Sequence, residues 1–218
     1  MRTVSRRGKQ HKQFPPTFEG LARVVAHLRT SEGCPWDREQ THLSLRSSLI
    51  EECYEVLAAL DAGDTKGLTE ELGDLLLQVV FHCQIAWENQ EFEPEQVFQG
   101  IVQKLLRRHP HVFATQQALS PTEVEQQWEL LKQKERVSGS PLDGVPSAMP
   151  ALAQAQAISQ RAGRSGFDWP NFDEVKAKLQ EEFGELEKAT GIEAIEHEIG
   201  DLFFTMVNLA RWLGVDSE

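Results

Sequence analysis

The stretch LIEECYEVLAAL, residues 49–60, decides the fold class. Leu45, Leu49, Val56 and Leu60 recur at spacings of four, seven and four, the repeat of an apolar helix face. Glu52 lies on that face, and Glu51 and Glu55 flank it. An ordinary amphipathic helix keeps its acids on the opposite side. A carboxylate set where packing favours leucine needs a partner for its charge.

The same period runs outward in both directions. TFEGLARVVAHLRT (17–30) starts at a Thr N-cap, and GCPWDREQTHLS (33–44) reads as a loop broken by Gly33 and Pro35. The helix holding the acids spans about Leu43 to Leu60. After the turn DAGD (61–64), Asp64 or Thr65 caps a helix that reaches about Asn89. Pro94 suits the first turn of another helix, which ends near Pro110, and 120–135 is again helical. VSGSPLDGVPSAMP (137–150), with three Pro, three Ser and two Gly, reads as a linker. Beyond it come helices at about 148–162, 171–189 and 192–213, with GFDWPNFDE a turn between the first two. No alternating strand pattern appears, so the expected class is all-α, with helical bundles on both sides of the linker. The expected division is a disordered basic tail (1–16), a first domain (17–136), the linker (137–150) and a second, shortened domain (151–218).

Composition limits the partners. The 218 residues carry a formal charge of −12, but residues 1–13 hold five Arg or Lys and no acid. The remainder sets 17 basic against 34 acidic side chains, a surface that repels nucleic-acid backbones and can hold cations. The tail MRTVSRRGKQHK has no apolar segment of a secretory signal, and no run of about 18 apolar residues spans a membrane. Cys34, Cys53 and Cys83 are odd in number and lack CxxC spacing, which fits a reducing, cytoplasmic setting.

An internal repeat accounts for the misplaced acids. LIEECYEV (49–56) matches LQEEFGEL (179–186), and EELGDLLLQVV (70–80) partly matches HEIGDLFFTMV (197–207). Each half therefore has E-E-x-x-E on one helix and E-x-x-D on the next. Glu52 and Glu55 are neighbours on one helix face, as are Glu71 and Asp74. Glu182 with Glu185, and Glu198 with Asp201, repeat the arrangement. Two antiparallel helices aim such pairs into one groove. Four facing carboxylates raise one another's pKa and destabilise the fold, and a divalent cation relieves that repulsion. All-oxygen ligands favour Mg²⁺, Mn²⁺ or Ca²⁺ over Zn²⁺. One E-E-x-x-E alone is usually a solvated face; two, each on an apolar stripe and each followed by E-x-x-D, are not explained that way. A di-iron bundle needs Glu-x-x-His on two helices, and the one such pair, Glu39–His42, lies outside the repeat.

At these residues the chain resembles the MazG-type nucleoside triphosphate pyrophosphohydrolases. The resemblance runs from about Phe18 through GCPWDREQTH, EECYEV, EELGDLLLQVVFH, KLLRRHPHVF, GFDW and EIGDLFFTMVNLAR. It implies tandem all-α domains, a homodimer, and Mg²⁺-dependent hydrolysis of (d)NTPs to monophosphate and pyrophosphate, with Mn²⁺ as the alternative metal. It also implies metal ligands at Glu52, Glu55, Glu71 and Asp74, and at Glu182, Glu185, Glu198 and Asp201. Lys178, one turn before Glu182, matches a nucleotide-contacting position. Cleavage of the α–β phosphoanhydride needs in-line attack by water and neutralisation of the polyanion. Glu51 and Glu181 are candidates for the base that takes the water's proton. Lys104, Arg107 and Arg108 are candidates for the outer phosphates, and Trp169, with Trp36 and Trp128 as alternatives, for stacking on the base. The resemblance predicts a further helix bearing Lys and Arg after Asp201, whereas the sequence stops 17 residues later. On that ground the first half is expected to be the working one. Two readings of other classes stand beside the enzyme: a helical module that binds metal or nucleotide without turnover, and a nucleic-acid binder resting on residues 1–13 alone.

Overall fold

A computed structural model of the chain describes residues 14–114, 119–135, 140 and 142–218. Residues 1–13 of the expected basic tail (1–16), and residues 137–139 and 141 of the expected linker, lie outside the described residues. Ten helices and no strand are found among the described residues: α1 (Phe18–Leu28), α2 (Pro35–Glu39), α3 (Arg46–Asp61), α4 (Thr65–Glu88), α5 (Pro94–Arg108), α6 (Pro110–Phe113), α7 (Pro121–Glu135), α8 (Ala151–Arg164), α9 (Phe172–Leu186) and α10 (Ile192–Trp212). The all-α class is as the periodicity requires.

Caps set the helix starts. The Thr17 hydroxyl accepts from Gly20 N at 3.2 Å, and the Asp64 carboxylate from the amides of Lys66 and Gly67, both at 3.0 Å. Asn171 does the same for α9, accepting from Glu174 N at 3.0 Å. Helix α2 lies where the sequence reads as loop. Pro35 occupies a first-turn position, where its missing N–H costs nothing. Its end is held from outside: the Arg29 guanidinium donates to the carbonyls of Asp37 at 2.6 Å and Gln40 at 3.1 Å. No local pattern could reveal that contact. Gly33 makes room for the preceding turn, since a Cβ there would lie 2.2 Å from Leu28 O.

The chain divides into two compact units, one ending at Leu105 and the other starting at Leu106, inside α5. In the first, α3 and α4 form a hairpin and α1 packs on α4. Its core is Val25, Leu45, Val80, Phe81 and Ile85, with Leu21, Ala22 and Leu77 packed against it. The inner face of α3 runs through Leu45, Leu49, Glu52, Val56 and Ala59; Leu60, expected there, is exposed because the 3.6-residue period reaches Ala59 instead. Phe18 meets Phe98 of α5 edge-on at 5.0 Å. In the second unit α9 and α10 form the equivalent hairpin and α8 packs on α10, so the repeat extends to a third helix. The stretch after the expected linker's start is tied to α8, for Arg161 donates to the carbonyls of Asp143 at 2.7 Å and Gly144 at 3.1 Å.

The interiors differ in kind. Of the buried polar side chains among the described residues, Gln78 belongs to the first unit, while Ser159, Glu182, Thr205 and Asn208 belong to the second.

Candidate functional site

Each hairpin gathers three of its four expected acids, with Asp74 and Asp201 outside the triplets. Carboxylate oxygens of Glu52 and Glu55 on α3 and Glu71 on α4 lie within 4.8 Å of one another. Glu182 and Glu185 on α9 and Glu198 on α10 do the same. Asp74 stands outside the first triplet but near enough for its charge to act on it. The Glu52 carboxyl is held above its ordinary pKa by partial burial first, then by Asp74, by the charge and hydrogen bond of Glu55, and by Glu71. Glu71 is raised likewise, by burial and then by Glu55, Glu70 and Asp74. These are groups crowded for want of a counter-charge.

The second triplet already has a counter-charge. The Lys178 ammonium, from the turn before, lies 2.9 Å from Glu182 Oε1 and 2.7 Å from Glu181 Oε1. Glu181, then Glu182, drive the lysine pKa upward. Asp201 accompanies Glu182 and Lys178 in the wall of a cavity of about 580 Å³. Its other walls are largely apolar and aromatic, with Ile158, Phe167, Trp169 and Phe204 among them, and its floor contains Ser159, Thr205 and Asn208. Trp169 is placed by Asp168, whose carboxylate accepts from the Trp169 amide at 2.8 Å and from Arg211 of α10 at 2.9 Å. That pairing keeps the Asp168 carboxyl below its ordinary range, the arginine hydrogen bond being the main cause. Gly163 lets this turn sit against α8, because a Cβ there would come 2.7 Å from Asp168 Oδ2.

The remaining sequence candidates scatter. Glu51 is exposed on α3, and Glu181 is exposed and bound to Lys178. Lys104 is exposed on α5. Arg107 and Arg108 both donate to the Glu135 carboxylate, at 2.6 Å and 3.0 Å from their Nε atoms, and hold its pKa down to about 2. Trp128 packs edge-on against His109 at 4.8 Å with Arg108 over its ring, and Trp36 is exposed.

Sequence reasoning missed the cavity floor. A signal was present: Thr205 and Asn208 continue the stripe of Glu198 and Asp201 at helical spacing, polar where packing favours apolar. Ser159 had no such signal, because its place beneath them is set by the docking of α8.

The donor sets suit a hard divalent cation: three or four carboxylates on two helices, partly buried, with no nitrogen or sulfur ligand in either triplet. The family model described as the MazG nucleotide pyrophosphohydrolase domain matches residues 40–113. A nucleoside triphosphate pyrophosphohydrolase/pyrophosphatase MazG of Thermotoga maritima is 45% identical over 203 residues, 92% of this chain and 78% of that protein. A nucleoside triphosphate pyrophosphohydrolase of Escherichia coli K12 is 44% identical over 210 residues, 92% of this chain and 80% of its own length. One of Mycobacterium tuberculosis is 44% identical over 145 residues, 66% of this chain and 44% of that protein.

Proposed function

This chain belongs to the MazG family of nucleotide pyrophosphohydrolases, and we propose that it hydrolyses (d)NTPs at the α–β bond to (d)NMP and pyrophosphate at the second acid cluster. One observation carries the choice of cluster: Glu182 and Asp201 share a cavity with a lysine and an aromatic wall. The matched segment 40–113 holds the first cluster, but relatives 44–45% identical span 92% of the chain and so include both. The expectation favouring the first half rests on where the sequence ends and on α5 cations, of which Arg107 and Arg108 are committed to Glu135.

Glu182, Glu185, Glu198 and Asp201 are the proposed ligands of Mg²⁺, or Mn²⁺, with Glu52, Glu55, Glu71 and Asp74 as a second set. The cation, when bound, neutralises the triphosphate and polarises the reacting phosphoryl group. The chain's own groups do the rest. Lys178 exchanges its two carboxylates for phosphate oxygens, giving charge-assisted hydrogen bonds to the polyanion. That exchange releases Glu181, which takes the proton of the attacking water. Trp169 and the apolar walls hold the base and exclude solvent around it. Glu51, which stands in the same register, has no such lysine, because Ser48 occupies the position matching Lys178. The first cluster thus fits the reading without turnover, a metal-binding element.

We also propose a homodimer and a cytoplasmic location. Val97, Phe98, Ile101, Val102 and Leu105 on α5 are exposed in the single chain, an apolar stripe of the kind that is covered by a partner. No helix among the described residues is long and apolar enough to cross a membrane. The deciding assay is incubation with each dNTP and Mg²⁺, separating products by anion exchange. Monophosphate and pyrophosphate in equal amounts are expected. Orthophosphate and the nucleoside diphosphate would place cleavage at the β–γ bond and overturn the reading, and no product would leave only a binding module.

A further inference from the structure

Resting on the assignment of the nucleotide to the second cluster, we infer that Asn208, oriented by Ser159, reads the hydrogen-bonding edge of the base and sets this chain's choice among nucleoside triphosphates. Both side chains are more than nine-tenths buried. Burying a polar side chain is unfavourable unless it is hydrogen-bonded, and an apolar residue would fill either position at lower cost. Here the pair lines a cavity rather than a packed wall. The repeat gives the control. In the register that matches Glu71 to Glu198, Asn208 corresponds to Phe81, a buried core residue of the first unit. The position one turn earlier is polar in both units, Thr205 in the second and Gln78 in the first; the units differ in that Asn208 lines a cavity while Phe81 is packed in the core.

The hydrogen bonds define what the floor offers. Asn208 Oδ1 accepts from the Ser159 hydroxyl, and Nδ2 donates to Phe204 O at 3.1 Å. The reverse amide orientation would set two oxygens against each other at Phe204, so the network fixes the assignment. An amide nitrogen has two hydrogens and its oxygen two lone pairs. One N–H of Asn208 therefore remains beyond those bonds, beside lone pairs on Oδ1 and on Ser159 Oγ. That unused N–H meets the carbonyl that guanine carries at C6 and thymine and uracil at C4, the positions where adenine and cytosine carry an amino group. Phe204 and Trp169 supply faces for a planar ring. Buried hydrogen-bonding groups reject a mismatched partner far more strongly than an apolar pocket does.

The test is kcat/KM for dATP, dCTP, dGTP and dTTP in Mg²⁺ with Asn208→Asp and Ser159→Ala. Asp keeps the shape and turns the spare donor into an acceptor. Its added charge near the phosphates affects all four substrates alike, so it cancels in ratios between bases. The ratio of amino bases (dATP, dCTP) to keto bases (dGTP, dTTP) should rise at least about tenfold in Asn208→Asp. Ser159→Ala should move the same ratio about threefold by freeing the amide, and it reports on the pair even if the Asp variant does not fold. Ratios within twofold of wild type in the folded variants overturn the inference. If the wild type turns over none of the four, the proposed activity fails instead. Calorimetric affinities of the four dNTPs then supply the same ratios and decide the role of Asn208 by the same thresholds.

Discussion

The α3–α4 and α9–α10 hairpins present the same carboxylates at the same spacing, yet their surroundings diverge. Under the first set lie Val80, Phe81 and Ile85, a packed core that is apolar but for the buried Gln78. Under the second lie Ser159, Thr205 and Asn208, and a cavity. Glu182 has Lys178 within 2.9 Å, and the residue in the matching place before Glu52 is Ser48. A repeated ligand pattern thus preserves the ability to concentrate negative charge. On the proposed assignment, whether a polyanion with a base attached can sit beside that charge is set by the floor and by one cation.

The largest effect that can break this comparison is on turnover. Glu182→Gln should lower pyrophosphate release by about 10²–10³, the usual consequence of removing one stabilising group from such a site. Glu52→Gln should keep at least about half of it, and should raise the melting temperature of the metal-free protein by relieving the crowding around Glu52. A dead Glu52 variant beside an active Glu182 variant would return catalysis to the first half.

The next effect concerns the cation. Lys178→Met removes charged hydrogen bonds worth about 1.5–3 kcal/mol, so kcat/KM should fall about 10- to 100-fold. Placing the same charge in the first half by Ser48→Lys should add no measurable turnover, since Phe81 still fills the floor. A gain would show that the cation, and not the cavity, distinguishes the halves.

Stability separates the units too. The largely buried Arg29 guanidinium holds Glu88 at 2.8 Å and the two carbonyls at the end of α2. Arg29→Met should cost the first unit about 3 kcal/mol in urea unfolding, since it leaves Glu88 without its main partner. Turnover below the transition should be largely retained if the second unit works by itself.

The smallest effect is on pH dependence. His42 Nε2 faces Glu91 at 3.0 Å and so carries its proton there; His42 Nδ1 then accepts from His82 Nδ1 at 2.7 Å. Burial first, then His42, hold the His82 pKa below its ordinary 6.5. The unfolded chain therefore binds this proton more readily than the folded one. Stability contributed by neutral His82 is present above pH 6.5 and declines as the pH falls below it. Melts of the wild type and His82→Leu between pH 7.5 and 5 should converge on acidification, and parallel curves would remove His82 as the cause.

Much of this was legible in the chain. Periodicity located the long helices, Thr17, Asp64 and Asn171 are standard caps, and the acids on apolar stripes pointed to the two clusters. Helix α2 was not legible, because Arg29, outside it in sequence, satisfies its terminal carbonyls. The pairing of Arg107 and Arg108 with Glu135 was hidden for a similar reason: it joins residues 27 and 28 positions apart. Lys178 was legible as a same-face neighbour of Glu182, one turn away, whereas the cavity that brings it beside Trp169 and Asn208 was not.

By itself the sequence determined the helical class, the duplicated hairpin and the type of ligand, for these follow from local period and from the chemistry of carboxylates. Only the tertiary structure decided that the second duplicate has a cavity beside its acids. That space depends on how α8 docks against α10 and on whether a side chain from α10 fills the gap or lines it. Phe81 and Asn208 occupy the same register of the repeat, and volume and hydrogen-bonding capacity become a closed core or an open cavity only when the neighbouring helix is in place.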